Sequence, residues 1–226
     1  MPSLVPTVDR RLGLSLARAC VGAVAGFVVL ATSVGSVAQA QEPEPIMRVE
    51  EDWQLVLNEP DGDLMAPQLH TLMSPLGHLD SFYVQVTWNY RELPEFEPGG
   101  FQVQGWEGQT FKHLKNSDGT PFSEAAETIT WTQVLATNGN EVGFVILNGQ
   151  STTWGAFGGS ETIVGGSVGV DNLNNYSPQT SVQNSCVTYG TNRVALLAIT
   201  QVRYYGTSGL LWVDTTPRVL VVTREE

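Results

Sequence analysis

From Phe82 to Arg91 the chain reads FYVQVTWNYR, with an apolar or aromatic residue at every second position. Phe82, Val84, Val86, Trp88 and Tyr90 alternate with Tyr83, Gln85, Thr87, Asn89 and Arg91. Successive side chains on a strand point to opposite faces, so this run has one apolar and one polar side. A helix would scatter the same residues around its axis. Aromatics and valines without Gly or Pro suit a strand as well. The pattern predicts a strand with its even-numbered side on a core and its odd-numbered side open.

The same alternation recurs along the chain. Trp53, Leu55 and Leu57 predict a strand over Val49 to Asn58, and Gln68 to Met73 a second. After a loop punctuated by Pro94, Pro98, Gly99 and Gly100, Phe101 and Val103 alternate with Gln102, Gln104 and Trp106. Gln109 to Lys115 reads as a strand ending at Asp118-Gly119, and Phe122 to Glu127 as the one place for a helical turn. Ile129, Trp131 and Leu135 mark Thr128 to Thr137, and Asn138-Gly139 signals a type I′ hairpin into Val142 to Leu147. A second Asn-Gly follows at Asn148-Gly149, and residues 151–181 are rich in Gly, Asn, Ser and Thr. Arg193 to Tyr205 is the longest late strand. Leu210 to Val213 and Arg218 to Val222 complete the series. Short strands, turn signals and no helix long enough for a crossover predict an all-β, antiparallel two-sheet β-sandwich. Nothing repeats at a fixed period, which argues against a solenoid or propeller.

Residues 1–40 have the pattern of an export signal rather than of an anchoring helix. Arg10, Arg11 and Arg18 precede an apolar run from Val21 to Leu30, and Ala38-Gln39-Ala40 is a small-x-small cleavage site. Residues 41–48 then form a short flexible tail, and 49–226 a single domain. The whole chain carries a net charge of −12. Cleavage after Ala40 removes three arginines and one aspartate, leaving 186 residues with 8 basic and 22 acidic side chains and a net charge of −14. Such a surface argues against nucleic acid and anionic lipid as partners. No later stretch could span a bilayer, so no membrane insertion is expected after cleavage. The expected location is periplasmic, cell-surface or extracellular. Cys186 alone remains, so an intrachain disulfide is ruled out and the fold must stand on its core.

Catalytic motifs are few. Gly165-Gly166-Ser167-Val168-Gly169 matches the nucleophile-elbow pattern, but that motif needs a following helix and a later histidine. His70, His78 and His113 all precede it, and none forms a short metal-ligand pair. Glu95 and Glu97, beside Glu92, are the best pair of carboxylates for glycoside hydrolysis, which needs two about 5 to 10 Å apart on a fixed scaffold. They lie between Pro94 and Pro98 in an acidic loop. Asp61 and Asp63, with Asn58 and Glu59, offer oxygens to calcium, as do Asp171, Asn172, Asn174 and Asn175. Neither run has EF-hand spacing, and turn chemistry explains both without a metal. Calcium at Asp61 and Asp63 is therefore the one cofactor candidate.

The polar strand faces are the better prospect. Gln85, Asn89 and Arg91 share parity with one another, and on the next strand Gln104 and Trp106 do the same. Arg203 and Tyr205 sit at alternate positions of the late strand. Amides and guanidinium groups hydrogen-bond hydroxyls, and an exposed indole stacks on a sugar ring. These seven residues are the candidate ligand site if their strands share one face.

The export leader, the all-β pattern and the polar sheet face together resemble the jelly-roll sandwich of concanavalin A-like lectins and glucanases. The stretches Asn148-Gly-Gln-Ser-Thr-Thr-Trp-Gly-Ala-Phe157 and Asn192-Arg-Val194 are similar to uncharacterised exported bacterial proteins. That second resemblance covers most of the chain after the leader and carries no assigned activity. The E-x-D-x-E signature of laminarinase-like glucanases is missing, so no catalytic residues carry over. The expectation is a secreted, non-catalytic, lectin-like module that binds carbohydrate or another extracellular polymer. A polysaccharide-active enzyme and a structural cell-envelope protein are the alternatives.

Overall fold

In the computed structural model, which describes residues 42–60, 66–90, 99–120, 125–153 and 155–220, the FYVQVTWNY run is a strand, β3 (Phe82–Tyr90). Phe82, Val84, Val86 and Trp88 are fully buried, while Tyr83 and Gln85 are half-buried on the other side. The alternation then breaks. The register shifts between Trp88 and Tyr90, and Asn89 takes a left-handed backbone conformation with φ 54°. Asn is one of the few L-residues that visits this region readily. The kink carries Asn89 inside, where it is fully buried and its Nδ2 donates to the Pro67 carbonyl at 2.9 Å. Tyr90, expected on the core side, is 50% exposed instead.

Two antiparallel sheets build the molecule. The five-stranded sheet runs in the order β10-β2-β3-β4-β5, with β2 (Gln68–Met73), β4 (Gly99–Glu107), β5 (Thr110–Thr120) and β10 (Cys186–Tyr189). The eight-stranded sheet runs β12-β11-β1-β6-β7-β8, with β1 (Arg48–Leu57), β6 (Glu127–Thr137), β7 (Glu141–Ser151), β8 (Gly155–Phe157), β11 (Val194–Tyr205) and β12 (Leu210–Asp214). On it, β9 (Val164–Ser167) also pairs with β7, and β13 (Arg218–Val219) with β11. The predicted all-β sandwich is the fold.

The inner faces meet around three tryptophans. Trp53 and Trp131 of the eight-stranded sheet stack at 5.9 Å, and Trp88 of the five-stranded sheet lies 4.4 Å from Trp131. Leu55, Leu69, Met73, Phe82, Ile129, Leu135 and Phe144 fill the space around them, each at most 2% exposed. Burying each such side chain is worth roughly 1.5–3 kcal/mol.

A polar chain crosses this core. Glu51 is fully buried, and its carboxylate accepts from Trp53 Nε1 at 2.8 Å, from Gln133 Nε2 at 3.4 Å and from the Tyr176 hydroxyl. Gln133 Oε1 accepts from Thr71 Oγ1 at 3.1 Å, and Thr71 Oγ1 accepts from Trp88 Nε1 at 3.1 Å. The two sheets are thus joined by hydrogen bonds as well as by packing. Burial pushes the Glu51 pKa up to about 7.

Three local expectations change. Phe122 to Glu127 is the one place expected to hold a helical turn; Phe122 to Glu124 lie outside the described residues and Glu127 opens β6, while the α-helix among the described residues is α1 (Pro178–Asn184). Asn138-Gly139 makes the hairpin, but Gly139 alone has positive φ there, so the turn is not type I′. The second Asn-Gly, Asn148-Gly149, is a bulge within β7. Ahead of β1 the expected tail is held at several points. Ile46 N donates to Asn174 Oδ1 at 2.9 Å, Met47 N donates to the Tyr205 carbonyl, and Glu44 accepts from Thr207 and Ser208.

Candidate functional site

The outer face of the five-stranded sheet gathers three of the seven candidate residues. Antiparallel register sets Gln85 of β3 directly opposite Gln104 of β4, and Tyr83 opposite Trp106. The Tyr83 and Trp106 rings lie nearly parallel, 4° apart in tilt and 6.2 Å between centroids. Phe111 of β5 pairs with Trp106 in turn, its ring edge-on at 5.3 Å, and is 45% exposed. Three aromatic side chains therefore form one row across three strands.

Beside that row lies a row of amides. Trp106 Nε1 donates to Gln104 Oε1 at 3.0 Å, and the Gln104 amide nitrogen donates to Gln102 Oε1. Gln85 Nε2 reaches His70 Nδ1 at 3.1 Å and Thr87 Oγ1 at 3.3 Å. His70 comes from β2, opposite Thr87, and partial burial pushes its pKa below the ordinary imidazole value. The ring is therefore neutral at pH 7, with one nitrogen donating and one accepting. Such a chain fixes the amides in orientation, leaving a flat apolar strip bordered by groups that can donate and accept. Tyr83 and Phe111 were not singled out from the sequence, although Tyr83 shares the parity of Gln85, and His70 was weighed there only for catalysis or metal binding.

Arg203 and Tyr205 are not on this face. They lie on β11, on the outer side of the other sheet. Arg203 is claimed by carboxylates of β1: its Nε lies 2.8 Å from Glu50 Oε2, and its two terminal nitrogens grip both Asp52 oxygens. Tyr205 donates to Glu50 Oε2 at 3.1 Å, and Arg48 caps its ring at 3.9 Å. One site holding all seven candidates is therefore corrected to two groups on the two outer faces, with Asn89 in neither because it is buried. Arg91, Asp61 and Asp63 lie outside the described residues, as do Glu92, Glu95 and Glu97.

The remaining sequence candidates stand apart. Ser167 ends β9 and leads into a loop rather than directly into a helix, so the elbow motif lacks its scaffold. His78 is exposed beside Asp80 at 3.5 Å, and the His113 side chain lies outside what is described. Asn172 Oδ1 accepts from Asn174 N at 3.0 Å, the local hydrogen bonding of a turn. Among the described residues no three His, Cys, Asp or Glu side chains converge as a metal site. Cys186 is exposed opposite His70, and desolvation of its sulfur raises rather than lowers its pKa. No protein-family model matches the chain, and no curated protein matches it either.

Proposed function

We propose that this is an exported, non-catalytic, lectin-like module that binds carbohydrate or a similar extracellular polymer on the outer face of the five-stranded sheet. The observation that carries the reading is the parallel Tyr83–Trp106 pair beside the facing Gln85 and Gln104 amides. A sugar ring offers an apolar C–H face and a rim of hydroxyls. An aromatic strip answers the first, and fixed amides answer the second. Tyr83, Gln85, Gln102, Gln104 and Trp106 carry no formal charge, which suits a neutral ligand on a chain of strong acidic excess.

A glycan array followed by calorimetry on the protein, with and without calcium, tests this. Trp106→Ala is expected to weaken binding about tenfold, since one aromatic contact is worth roughly 1 kcal/mol or slightly more. Binding unaffected by both Trp106→Ala and Gln104→Ala would remove the face from consideration. The cell-envelope alternative has its own support in β12, an edge strand whose Leu210, Trp212 and Val213 are exposed. That reading expects light scattering to rise steeply with concentration and to fall in Trp212→Ser.

A further inference from the structure

The outer face of the eight-stranded sheet carries a polar cleft of about 460 Å³ that the reading above does not use. It lies across β11, β1, β6 and β7, and Asp52 sits in its floor. Asp52 is immobilised from several sides. Arg203 grips both of its oxygens, Thr132 Oγ1 donates at 2.8 Å and Gln201 Nε2 at 3.4 Å. Glu50 holds the rest of the guanidinium and also meets Arg48 at 3.3 Å. Two arginines and two carboxylates therefore cancel within the cluster. The hydrogen bonds that Arg203 donates to Asp52 and Glu50 push its pKa further up.

The wall of the cleft is made by the β7 bulge. Thr132 pairs with Leu147 and Thr130 with Gln150, so Asn148 and Gly149 together oppose Trp131. Asn148 takes the left-handed conformation, φ 54°, and Gly149 turns under the Phe157 ring, where a Cβ would meet carbon at 2.5 Å. A bulge re-aims side chains. Here it brings the Asn148 amide over the cleft, its Nδ2 donating to Thr132 Oγ1 at 3.3 Å. Asn148 Oδ1, the Gln54 amide and the Thr130 hydroxyl have no hydrogen-bond partner among the described residues.

We propose that this cleft is a second carbohydrate site, which takes a neutral hexose oligomer through Gln54, Thr130 and Asn148. The cancelled charge gives an anion or cation nothing to bind. The three unengaged groups mix donors and acceptors, as vicinal hydroxyls do. Trp53 and Trp131 line the cleft, but their rings are packed in the core, so recognition is by hydrogen bonds and the affinity is millimolar. The proposal does not rest on the aromatic face of the other sheet.

Maltohexaose, cellohexaose and laminarihexaose are titrated separately into the 15N-labelled protein, each to about 10 mM, enough to fill a millimolar site. At least one is expected to move the amide signals of Thr130, Thr132, Asn148 and Thr200. Those shifts persist in Trp106→Ala and disappear in the Gln54→Ala/Thr130→Val double variant. Asn148→Gly keeps the left-handed backbone and deletes only the carboxamide, so it is expected to raise Kd about fivefold, the worth of one hydrogen bond. The proposal is overturned if none of the three sugars moves these signals. It is overturned equally if the shifts stay on Tyr83, Gln85 and Trp106, or if the cleft shifts vanish with Trp106→Ala. In the last two cases the aromatic face would still stand.

Discussion

Replacing Glu51 by Gln should make the protein more stable at pH 8 and leave it nearly unchanged at pH 5. Glu51 is wholly enclosed between the sheets, and burial raises its pKa from the ordinary 4.5 to about 7. The folded protein therefore holds this proton more tightly than the unfolded chain does. The stabilisation is complete below pH 4.5 and is lost as the pH climbs to about 7, after which it stays lost. A difference of about 2.5 pKa units corresponds to about 3 kcal/mol. Tm changes by roughly 2–4 °C per kcal/mol at this chain length, so the loss is about 6–12 °C. Gln has the shape of the protonated acid and no proton to lose. It can still accept from Trp53 Nε1 and donate toward Tyr176, whose own pKa is pushed well up by the same burial. His70 acts with the opposite sign, since burial depresses its pKa and costs stability as the pH falls below the ordinary imidazole value. Glu44 and Asp214, each held at about 2 by hydrogen bonds, lose their contributions only in stronger acid. The measurement is thus the Tm difference between wild type and Glu51→Gln, by calorimetry from pH 5 to 8, in which these common terms cancel. A gap that stays constant over that range would refute the argument, because it would mean that Glu51 titrates alike in the folded and unfolded states.

Gly149→Ala should cost about 1–3 kcal/mol in urea unfolding, because the new methyl group occupies the place of the Phe157 ring that packs edge-on against Trp88. Asn89→Ala should lose about 2–3 kcal/mol, through left-handed strain and a buried Pro67 carbonyl left without its partner. Asn89→Gly should lose less than Asn89→Ala, and equal losses would show that backbone strain plays no part. Arg203→Lys keeps the charge but not the two-pronged grip on Asp52, and should cost about 1 kcal/mol at this part-exposed site. A double-mutant cycle with Asp52→Asn should assign that loss to the pair.

Most of the strands that were legible have a continuous buried side; β12, read from its apolar run, is an exception. β1, β2, β3, β6 and β11 each present a run of core positions, so period-two alternation shows through. β10 was missed because Cys186 to Tyr189 only alternates exposed with half-buried positions at a sheet edge. The helix α1 does carry a signal, Ser177 followed by Pro178 at its first turn, but in a stretch dominated by loop-forming residues. The register breaks within β3 and β7 fall on asparagines with positive φ, and local sequence does not separate a bulge from a hairpin. Asn138-Gly139 reverses the chain, whereas Asn148-Gly149 stays within β7, with the Phe157 ring close over Gly149.

The site was only half legible for a different reason. Parity tells which side of its own sheet a residue faces, not which sheet the strand joins. Gln85, Gln104 and Trp106 stay together because β3 and β4 are sequence neighbours that pair. Arg203 meets Glu50 from 153 positions away, a pairing that no local pattern encodes. Composition, however, does bear on it. In a chain where acidic side chains outnumber basic ones about two to one, a half-buried arginine finds a carboxylate of its own chain before it finds a ligand. Glu50 and Asp52 alternate on the outer side of β1 as Arg203 and Tyr205 do on β11. Charge and parity together favour pairing those two strands. Arg203 then becomes the fixed floor of a cleft, and the ligand-facing work falls to its uncharged neighbours Gln54, Thr130 and Asn148.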